Sequence, residues 1–402
     1  MPQNAVTGLT STLSGTVLVP HWHLCACPWL GAQSGTDSFH RMNQSVAQVV
    51  AEHFRRHLDE ARKQGRAAPV AETPDEATIE RLISTAFWAS LRREEGRAPT
   101  ISLAYLPPEA AGTALLVERP LPLSSDTLTK LAPAVERPGI HLGVWPNRAE
   151  LAIWGATRVI PPLCFVVEVI EPGLLVVKHR RADPGGKFAN VAVLEGDQVK
   201  MVDAEGTLAA QCPDFVSTLL GYDSAESDNV LLPLALSMRA HKHGGSLLVV
   251  PHGTDLWRRS IVSVPYTVAP PFSRLGELVN KGTRDGGFRE AIDAIGGLTA
   301  VDGAVVLSDR WDVLAFGAKI GRSESGPFVD EVLVLEPILG QAPQRVDASE
   351  LGGTRHLSAA QFVHEQRDSL ALVASQDGRF TVLGWSQRAG MVHAFRVEAL
   401  LL

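Results

Sequence analysis

The sequence has few cysteines and no long apolar run. Four cysteines in 402 residues do not make a disulfide framework. No uninterrupted apolar stretch reaches the ~18 residues of a membrane span, and the richest one, VIPPLCFVVEVI, is interrupted by two prolines and a glutamate. The opening segment, MPQNAVTGLTSTLSGTVLVP, is polar and irregular and lacks the pattern of a signal peptide. We therefore expect a soluble, cytoplasmic protein without a membrane partner.

The sequence also lacks an excess of basic residues. Its net charge is −7 and its pI is near 6.0, which argues against a protein that wraps duplex nucleic acid. A single nucleotide needs only a local cationic pocket, so the acidic total does not exclude one. Hydrophobic content of 45% and charged content of 20% are typical of a globular protein with an ample core.

Three regions differ in their sequence pattern. Residues 1–135 are predicted to be rich in α-helix, because 40–66 and the segment after Thr73-Pro74-Asp75-Glu76 carry apolar residues at helical spacing. Residues 136–224 contain short β-favouring runs separated by turns, which predicts a small antiparallel sheet or barrel. Residues 225–402 alternate helices and strands. The predicted fold class is α/β in this last region, with a mixed sheet flanked by helices, and α+β for the whole chain.

Three polar motifs have interpretations that involve no ligand. His21, His23, Cys25 and Cys27 alternate and are potential zinc ligands, but their spacing is unusual and no second pair follows, which favours a strand or loop with incidental His and Cys. The segment DPGGKF at 183–188 lacks the phosphate-loop pattern and is interpreted as a hairpin turn. The segment GTRDGGFRE at 282–290 offers Arg284 to an anion, but it is better interpreted as a loop that leads into a helix.

In the carboxy-terminal third, three elements point to the same ligand. Asp302 heads the strand DGAVVLS, where a carboxylate can hold a divalent cation and the small Gly303 and Ala304 let a nucleotide approach the backbone. GGTRH at 352–356 leads into a helix, so backbone amides and the side chains there can address phosphate oxygens. Ser375 follows the strand LALVA and offers a hydroxyl.

These segments resemble the nucleotide-binding domain of the diadenylate cyclases, of the DisA amino-terminal type. That family has a strand headed by Asp-Gly-Ala, then Gly-Thr-Arg-His-Arg opening a helix, then a strand that ends in Ser-Gln or Ser-Glu. The corresponding segments here are DGAVVLSDRWDVLAFGAKI, GGTRHLSAAQ and LALVASQ, and HKHGGSLLVVPHGTDL resembles the first core strand. The resemblance runs from about 225 to 388 and does not extend to the first 220 residues.

The resemblance implies a role for each matching residue. Asp302 would coordinate Mg²⁺ or Mn²⁺ and help to activate a ribose hydroxyl. Gly303 and Ala304 would lie beside the nucleotide; Gly353, Thr354, Arg355 and His356 would hold the phosphates, with Ser375 as a further contact. Two such domains would face each other in a homo-oligomer. The sequence departs from the family at Leu357, where the family has a second arginine; Lys319, Arg322 and Arg345 are candidate substitutes.

Two functions fit this pattern. The first is a metal-dependent nucleotidyltransferase of the diadenylate-cyclase type, which condenses nucleoside triphosphates, with ATP as the first choice, into a cyclic or linear dinucleotide. The second is a sensor that binds a nucleotide or dinucleotide in the same pocket without chemistry. The loss of one guanidinium at Leu357 removes a contact that contributes on the order of 1.5–3 kcal/mol, so this position bears on the choice.

Overall fold

The chain folds around two large β-sheets. The structure is a computed structural model, and it describes residues 46–56, 59, 63, 71–181, 188–202, 230–323 and 326–402. The motif of His21, His23, Cys25 and Cys27 and the turn at 183–187 lie outside the described residues. All described residues belong to one compact unit, 42–402. The three-domain division at 135 and 224 stays a prediction.

The first sheet has eight strands in the order β2-β4-β3-β1-β5-β6-β7-β8. The pair β1–β3 is parallel, while its neighbour pair β1–β5 is antiparallel, so the sheet is mixed. Its strands are β1 (Ile101–Tyr105), β2 (Ala114–Pro122), β3 (His141–Asn147), β4 (Glu150–Thr157), β5 (Phe165–Glu171), β6 (Leu174–Arg180), β7 (Phe188–Glu195) and β8 (Gln198–Met201).

This sheet begins earlier in the chain than the sequence pattern indicates. Strands β1 and β2 lie within the region predicted to be helical, and the parallel β1–β3 pair makes the sheet mixed rather than purely antiparallel. The reason is that β1 is central and buried along its whole length, so its sequence ISLAY shows no alternation that marks a half-exposed strand. A short 3₁₀ helix, Pro108–Ala110, lies between the two strands.

Helices cover one face of the first sheet. Residues 46–56 form helix α1, followed by α2 (Glu76–Ser90) and α3 (Ser125–Val135). Helix α2 begins after Asp75, whose carboxylate accepts a hydrogen bond from the amide of Thr78, as an N-cap residue does. The predicted apolar stripe of α2 is buried at Ile79, Leu82, Ile83 and Phe87. Leu91, the next apolar residue at helical spacing, follows the last turn of the helix and is 49% exposed.

The second sheet has the strand order β10-β13-β12-β9-β16-β17-β18-β14-β15, with β11 pairing β13 off this path. Its strands are β9 (Gly245–Val250), β10 (Ile261–Ser263), β11 (Tyr266–Phe272), β12 (Ala304–Ser308), β13 (Val313–Ile320), β14 (Glu331–Leu335), β15 (Gln344–Asp347), β16 (Leu370–Ala374), β17 (Phe380–Ser386) and β18 (Met391–Arg396). The helices are α4 (Leu231–Ala240), α5 (Arg274–Asn280), α6 (Gly286–Leu298), α7 (Thr354–Glu365) and α8 (Glu398–Leu401), with 3₁₀ turns at Leu256–Ser260 and Ala348–Glu350.

Helices pack on both faces of the second sheet. Leu247 and Val249 of β9 join a core with α4 and α6, while Leu248 and Val250 join a core with α7 on the opposite face. A strand covered on both faces is a continuous apolar run, which is the pattern that predicted GSLLVVP as a buried strand. The predicted class, a mixed sheet flanked by helices within an α+β chain, is confirmed.

The two sheets are joined through the end of the chain. The side-chain amide of Asn190 in β7 donates hydrogen bonds to the carbonyl oxygens of Ala399 and Leu402, at 2.9 and 3.1 Å. Ala399 of α8 also packs against Val176 and Val193 of the first sheet. Helix α8 therefore lies between strand β7 and the second sheet. Among the described residues, no helix is both long and apolar enough to cross a bilayer.

The loop before α6 contains the segment GTRDGGFRE. Asp285 caps this helix, because its carboxylate accepts hydrogen bonds from the amides of Gly287 and Phe288. The Arg284 guanidinium lies over the Phe288 ring, 4.3 Å from its centroid. The amides that were candidates for an anion are therefore occupied by Asp285, in agreement with a loop that leads into a helix.

Candidate functional site

The predicted site residues meet at one end of the second sheet. Strands β9 and β12 are parallel, with Ser246 opposite Ala304, so both strands begin at this end. Strand β16 runs antiparallel to β9 and ends there, with Ala374 opposite Gly245. Asp302 immediately precedes β12 and Ser375 immediately follows β16. Sheet topology therefore brings these two elements, far apart in sequence, to the same end.

Helix α7 brings the second predicted element to this end. It begins at Thr354, and Gly353 before it has no side chain to cap the first turn. The Gly353 carbonyl accepts the amide hydrogens of His356 and Leu357, at 2.9 and 3.4 Å. Thr354 and Arg355 are both exposed on this first turn. A helix start that no side chain caps presents amide donors and the positive end of the helix dipole to an anion.

Arg355 lies across the turn that leads into β9. Gly244 in this turn has a φ of +69°, and a β-carbon placed on it would lie 3.0 Å from Nη1 of Arg355 and 3.1 Å from the Ala374 carbonyl oxygen. The left-handed backbone favours glycine here, and a side chain would also press on Arg355 and the Ala374 carbonyl oxygen. Within the described residues, the Arg355 guanidinium makes no hydrogen bond or ion pair. Its donors are available to a ligand.

Asp302 is exposed and forms an ion pair with Lys319 of β13. The pKa of the Asp302 carboxyl is lowered, first by the hydrogen bond and charge of Lys319 and further by the charge of Arg355. Asp302 is therefore ionised at neutral pH, and it lies within electrostatic reach of the first turn of α7. Sequence reasoning named Lys319 only as a substitute cation; the antiparallel pairing of β12 with β13 is the signal that places it beside Asp302.

Packing accounts for the small side chains after Asp302. Gly303 has a φ of +113°, and a β-carbon there would lie 2.4 Å from the backbone carbon of Gly317. Ala304 is 1% exposed and belongs to the core beneath α7. Gly303 is thus required by the close approach of β13, and Ala304 is part of the packed core. Their predicted contact with a nucleotide stays a prediction.

The residues at Asp302 do not fit a resident divalent cation as they are arranged. Mg²⁺ at a nucleotide site takes one or two carboxylates together with phosphate oxygens. Asp302 supplies one carboxylate, but the Lys319 ammonium already contacts it. In the parts of the chain that the structure describes, no three His, Cys, Asp or Glu side chains come together as ligands. The expected Mg²⁺ or Mn²⁺ stays a prediction from the resemblance.

His356 points into the protein rather than toward the anion site. It is 6% exposed, and its Nε2 lies 3.3 Å from the Thr381 hydroxyl oxygen. Burial lowers the pKa of His356, and the charge of Arg396 lowers it further. A neutral imidazole below the helix stabilises the first turn of α7. A phosphate at the surface would meet Thr354 and Arg355 before it met His356.

Ser375 begins a turn that is tied to the Gly244 turn. Its amide donates to the carbonyl oxygen of Arg379 at 2.9 Å, and the side chain of Gln376 donates to the carbonyl oxygen of His243 at 3.2 Å. Arg379 forms an ion pair with Asp377 at 3.5 Å. From sequence, Gln376 was recognised only as part of the Ser-Gln pair that ends the strand, and Arg379 was missed, because a turn's cross-contacts depend on which strands are neighbours.

Leu357 is 38% exposed on the first turn of α7. Two of the three cations considered as substitutes for the missing arginine are engaged elsewhere. Arg322 donates to the Gly326 carbonyl oxygen at 2.6 Å and lies over the Phe328 ring, and Arg345 pairs with Glu331 at 3.7 Å. Lys319 is the one of the three that contacts a predicted site residue.

Comparison with known proteins gives one family-model match, which covers part of the first sheet and its helices. Residues 68–158 match the family model described as "probable sensor domain DACNV". No curated protein matches the chain. The solved structures that show similarity include a hypothetical membrane spanning protein from Bacillus cereus, 19% identical over 47% of this chain and 71% of that chain with a TM-score of 0.27. They also include a double mutant of DacA from Staphylococcus aureus, 13% identical over 45% of this chain and 89% of that chain with a TM-score of 0.23. Both TM-scores are too low to support an argument.

Proposed function

We propose that the second sheet and its helices bind a nucleotide or a dinucleotide and that the protein acts as a sensor of that ligand. The observation that carries this proposal is the free Arg355 guanidinium at the uncapped start of α7. Lys319 adds a second exposed cation near Asp302. Two cations and a helix start would together offer donors to phosphate groups in a chain whose total charge is negative.

Three observations favour sensing over catalysis. The Asp302 carboxylate, which a metal-dependent reaction needs, is engaged by Lys319. Leu357 leaves the first turn of α7 with one guanidinium instead of two. The matched model of residues 68–158 describes a probable sensor domain. In this proposal, ligand binding at α7 reaches the first sheet through α8, which the hydrogen bonds of Asn190 connect to β7.

Calorimetric titration with ATP and with cyclic diadenylate tests the binding proposal. Arg355→Ala should weaken the affinity for the preferred ligand by about tenfold or more, since a charge-assisted contact is lost. The matched control is Arg92→Ala, because Arg92 is also exposed but pairs with Asp126 in the first part of the chain. An unchanged affinity in Arg355→Ala would count against the pocket itself.

The second candidate function is the nucleotidyltransferase of the diadenylate-cyclase type, acting as a homo-oligomer with facing domains. It is favoured by the exposure of Asp302, whose lowered pKa keeps the carboxylate ionised beside Arg355. Incubation of the protein with ATP and Mg²⁺ or Mn²⁺, followed by mass spectrometry, tests it. A cyclic or linear dinucleotide that disappears in Asp302→Asn would establish the enzyme. Tight nucleotide binding without any product would rule out the nucleotidyltransferase function.

A further inference from the structure

The pairing of strands β12 and β13 places Lys319 beside Asp302, so their ion pair follows from the fold. Ala318 lies opposite Ala304 in the β12–β13 ladder, so the residue that follows Ala318 reaches the strand end where Asp302 stands. The close approach of Gly303 to the backbone of Gly317 fixes this register further. The backbone pairing of β12 with β13 therefore keeps Lys319 near Asp302.

The Lys319 ammonium group can contact both the Asp302 carboxylate and a phosphate oxygen, as a metal ion at this point would. Lys319 carries three N–H donors, and its contact with Asp302 uses one of them. The side chain is 45% exposed, so the remaining donors can reach a phosphate oxygen from solvent. A divalent cation bound to the same carboxylate would lie next to the ammonium charge, and the two cations would repel each other.

We propose that the Lys319 ammonium takes the position on Asp302 that a divalent cation would otherwise occupy, so that this site binds nucleotide phosphates without a metal. The inference rests on the proposed nucleotide binding. Lys319 is then a specificity-determining residue: it bridges Asp302 and the ligand, and Arg355 contacts the phosphates from the other side. The site would take free nucleotide at least as well as its magnesium complex.

Calorimetry with ATP in EDTA and in excess Mg²⁺ tests this inference on the unchanged protein. The affinity of the unchanged protein in EDTA should be within about threefold of that in Mg²⁺, or higher. In EDTA, the affinity of Lys319→Met for ATP should be lower by about tenfold or more, since one charge-assisted contact is lost. Mg²⁺ or Mn²⁺ should restore that affinity, because Asp302 is then free for the metal. Lys319→Met combined with Asp302→Asn should show no restoration.

Two further variants control for folding and for surface charge. Lys319→Arg keeps the cation and should keep metal-independent binding. Lys130→Met removes another exposed lysine, which pairs with Asp126 on α3, and should leave both affinities unchanged. If the unchanged protein binds ATP at least tenfold more tightly with Mg²⁺ than in EDTA, the inference is wrong while the proposed binding stands. If ATP and cyclic diadenylate bind in neither buffer, the proposed binding itself is wrong.

Discussion

The first sheet holds a polar cluster between its strands, whereas the second sheet presents polar side chains at one end. The cluster lies on neighbouring strands and consists of the buried Ser102 and His141 and the partly exposed Glu168 and Lys178. The Ser102 hydroxyl lies 2.7 Å from Nδ1 of His141, Glu168 accepts from Lys178, and Ser102 faces Glu168 across the β1–β5 ladder. At the end of the second sheet, Asp302, Thr354 and Arg355 are exposed.

Burial gives the two groups different roles. Burial lowers the pKa of His141 to about 4, with a further contribution from the charge of Lys178, and it lowers the pKa of Lys178 to about 8. The buried His141 imidazole has no open path to a ligand, so its hydrogen bond serves stability. The exposed charges of the second sheet contribute little to stability and are accessible from solvent. Substitutions in each group test this division.

The largest effect is expected at a residue that breaks the division, because Gly303 lies at the exposed end but serves packing. Gly303→Ala should lower the free energy of unfolding by about 3 kcal/mol or more, since the left-handed backbone is strained by a side chain and the new methyl group meets the Gly317 backbone. Urea denaturation measures it. Gly340→Ala is the matched control: its φ is +80° with no atom within 4 Å of the added carbon, so about 1 kcal/mol is expected. Equal losses in the two variants would contradict the packing role.

The second effect is acid destabilisation through His141. Its pKa is near 6.5 in the unfolded chain and about 4 in the folded one, so between these values the unfolded chain binds a proton that the folded chain does not. Stability is therefore complete above pH 6.5 and falls by about 3 kcal/mol as the pH drops to 4. Unfolding in urea at several pH values measures the fall, and NMR follows the imidazole of His141 directly.

A variant separates His141 from the other histidines that titrate in this range. Between pH 6.5 and 4, the unfolded chain of the wild type binds about one more proton than the folded chain at this residue. His141→Asn should remove that difference, so its free energy of unfolding should depend less on pH. Ser102→Ala removes the hydroxyl partner but leaves the burial of His141, which is the larger cause of its shift; it should keep most of the slope. If the imidazole of His141 titrates near 6.5 in the folded protein, it is not buried as the structure has it.

The sequence predicts the central strands of the second sheet better than the first sheet. Strands β9, β12 and β16 are short apolar runs next to a glycine or a polar residue, and such runs identify a fully covered strand. Strand β1 is also a covered run, but it follows a helix-rich segment, and its parallel partner β3 begins only at His141. Which strands are neighbours is decided by tertiary packing, so the mixed order of the first sheet could not be derived from local pattern.

The same limit applies within the candidate site. Asp302, Thr354, Arg355 and Ser375 were identified from sequence, because a carboxylate at a strand head and glycines before a helix have recognisable chemistry. Sequence alone could not tell that His356 is buried while Arg355 is exposed. Successive residues of a helix point about 100° apart, and only the position of the sheet decides which of them faces the core.

The third prediction is a gain of ligand affinity at the exposed end of the second sheet. Leu357→Arg supplies a second guanidinium on the first turn of α7, where the side chain is 38% exposed. The affinity for ATP should rise by about tenfold, from one added charge-assisted contact, while the free energy of unfolding stays nearly unchanged. Calorimetry measures the first and urea denaturation the second. Leu357→Gln is the uncharged control, and a similar gain in that variant would show that charge is not the cause.

The smallest effect is expected where an ion pair is exposed and remote from the site. Lys130 and Asp126 lie 3.6 Å apart on α3, with side-chain exposures of 70% and 64%, and solvent screens such a pair. Lys130→Ala should change the free energy of unfolding by about 0.5 kcal/mol or less and leave ATP binding unaltered. A loss of nucleotide affinity in this variant would be informative, because no contact at α7 is removed. It would show that surface charge in general, rather than the local arrangement of Arg355 and Lys319, attracts the ligand, and the division between the two sheets would then fail.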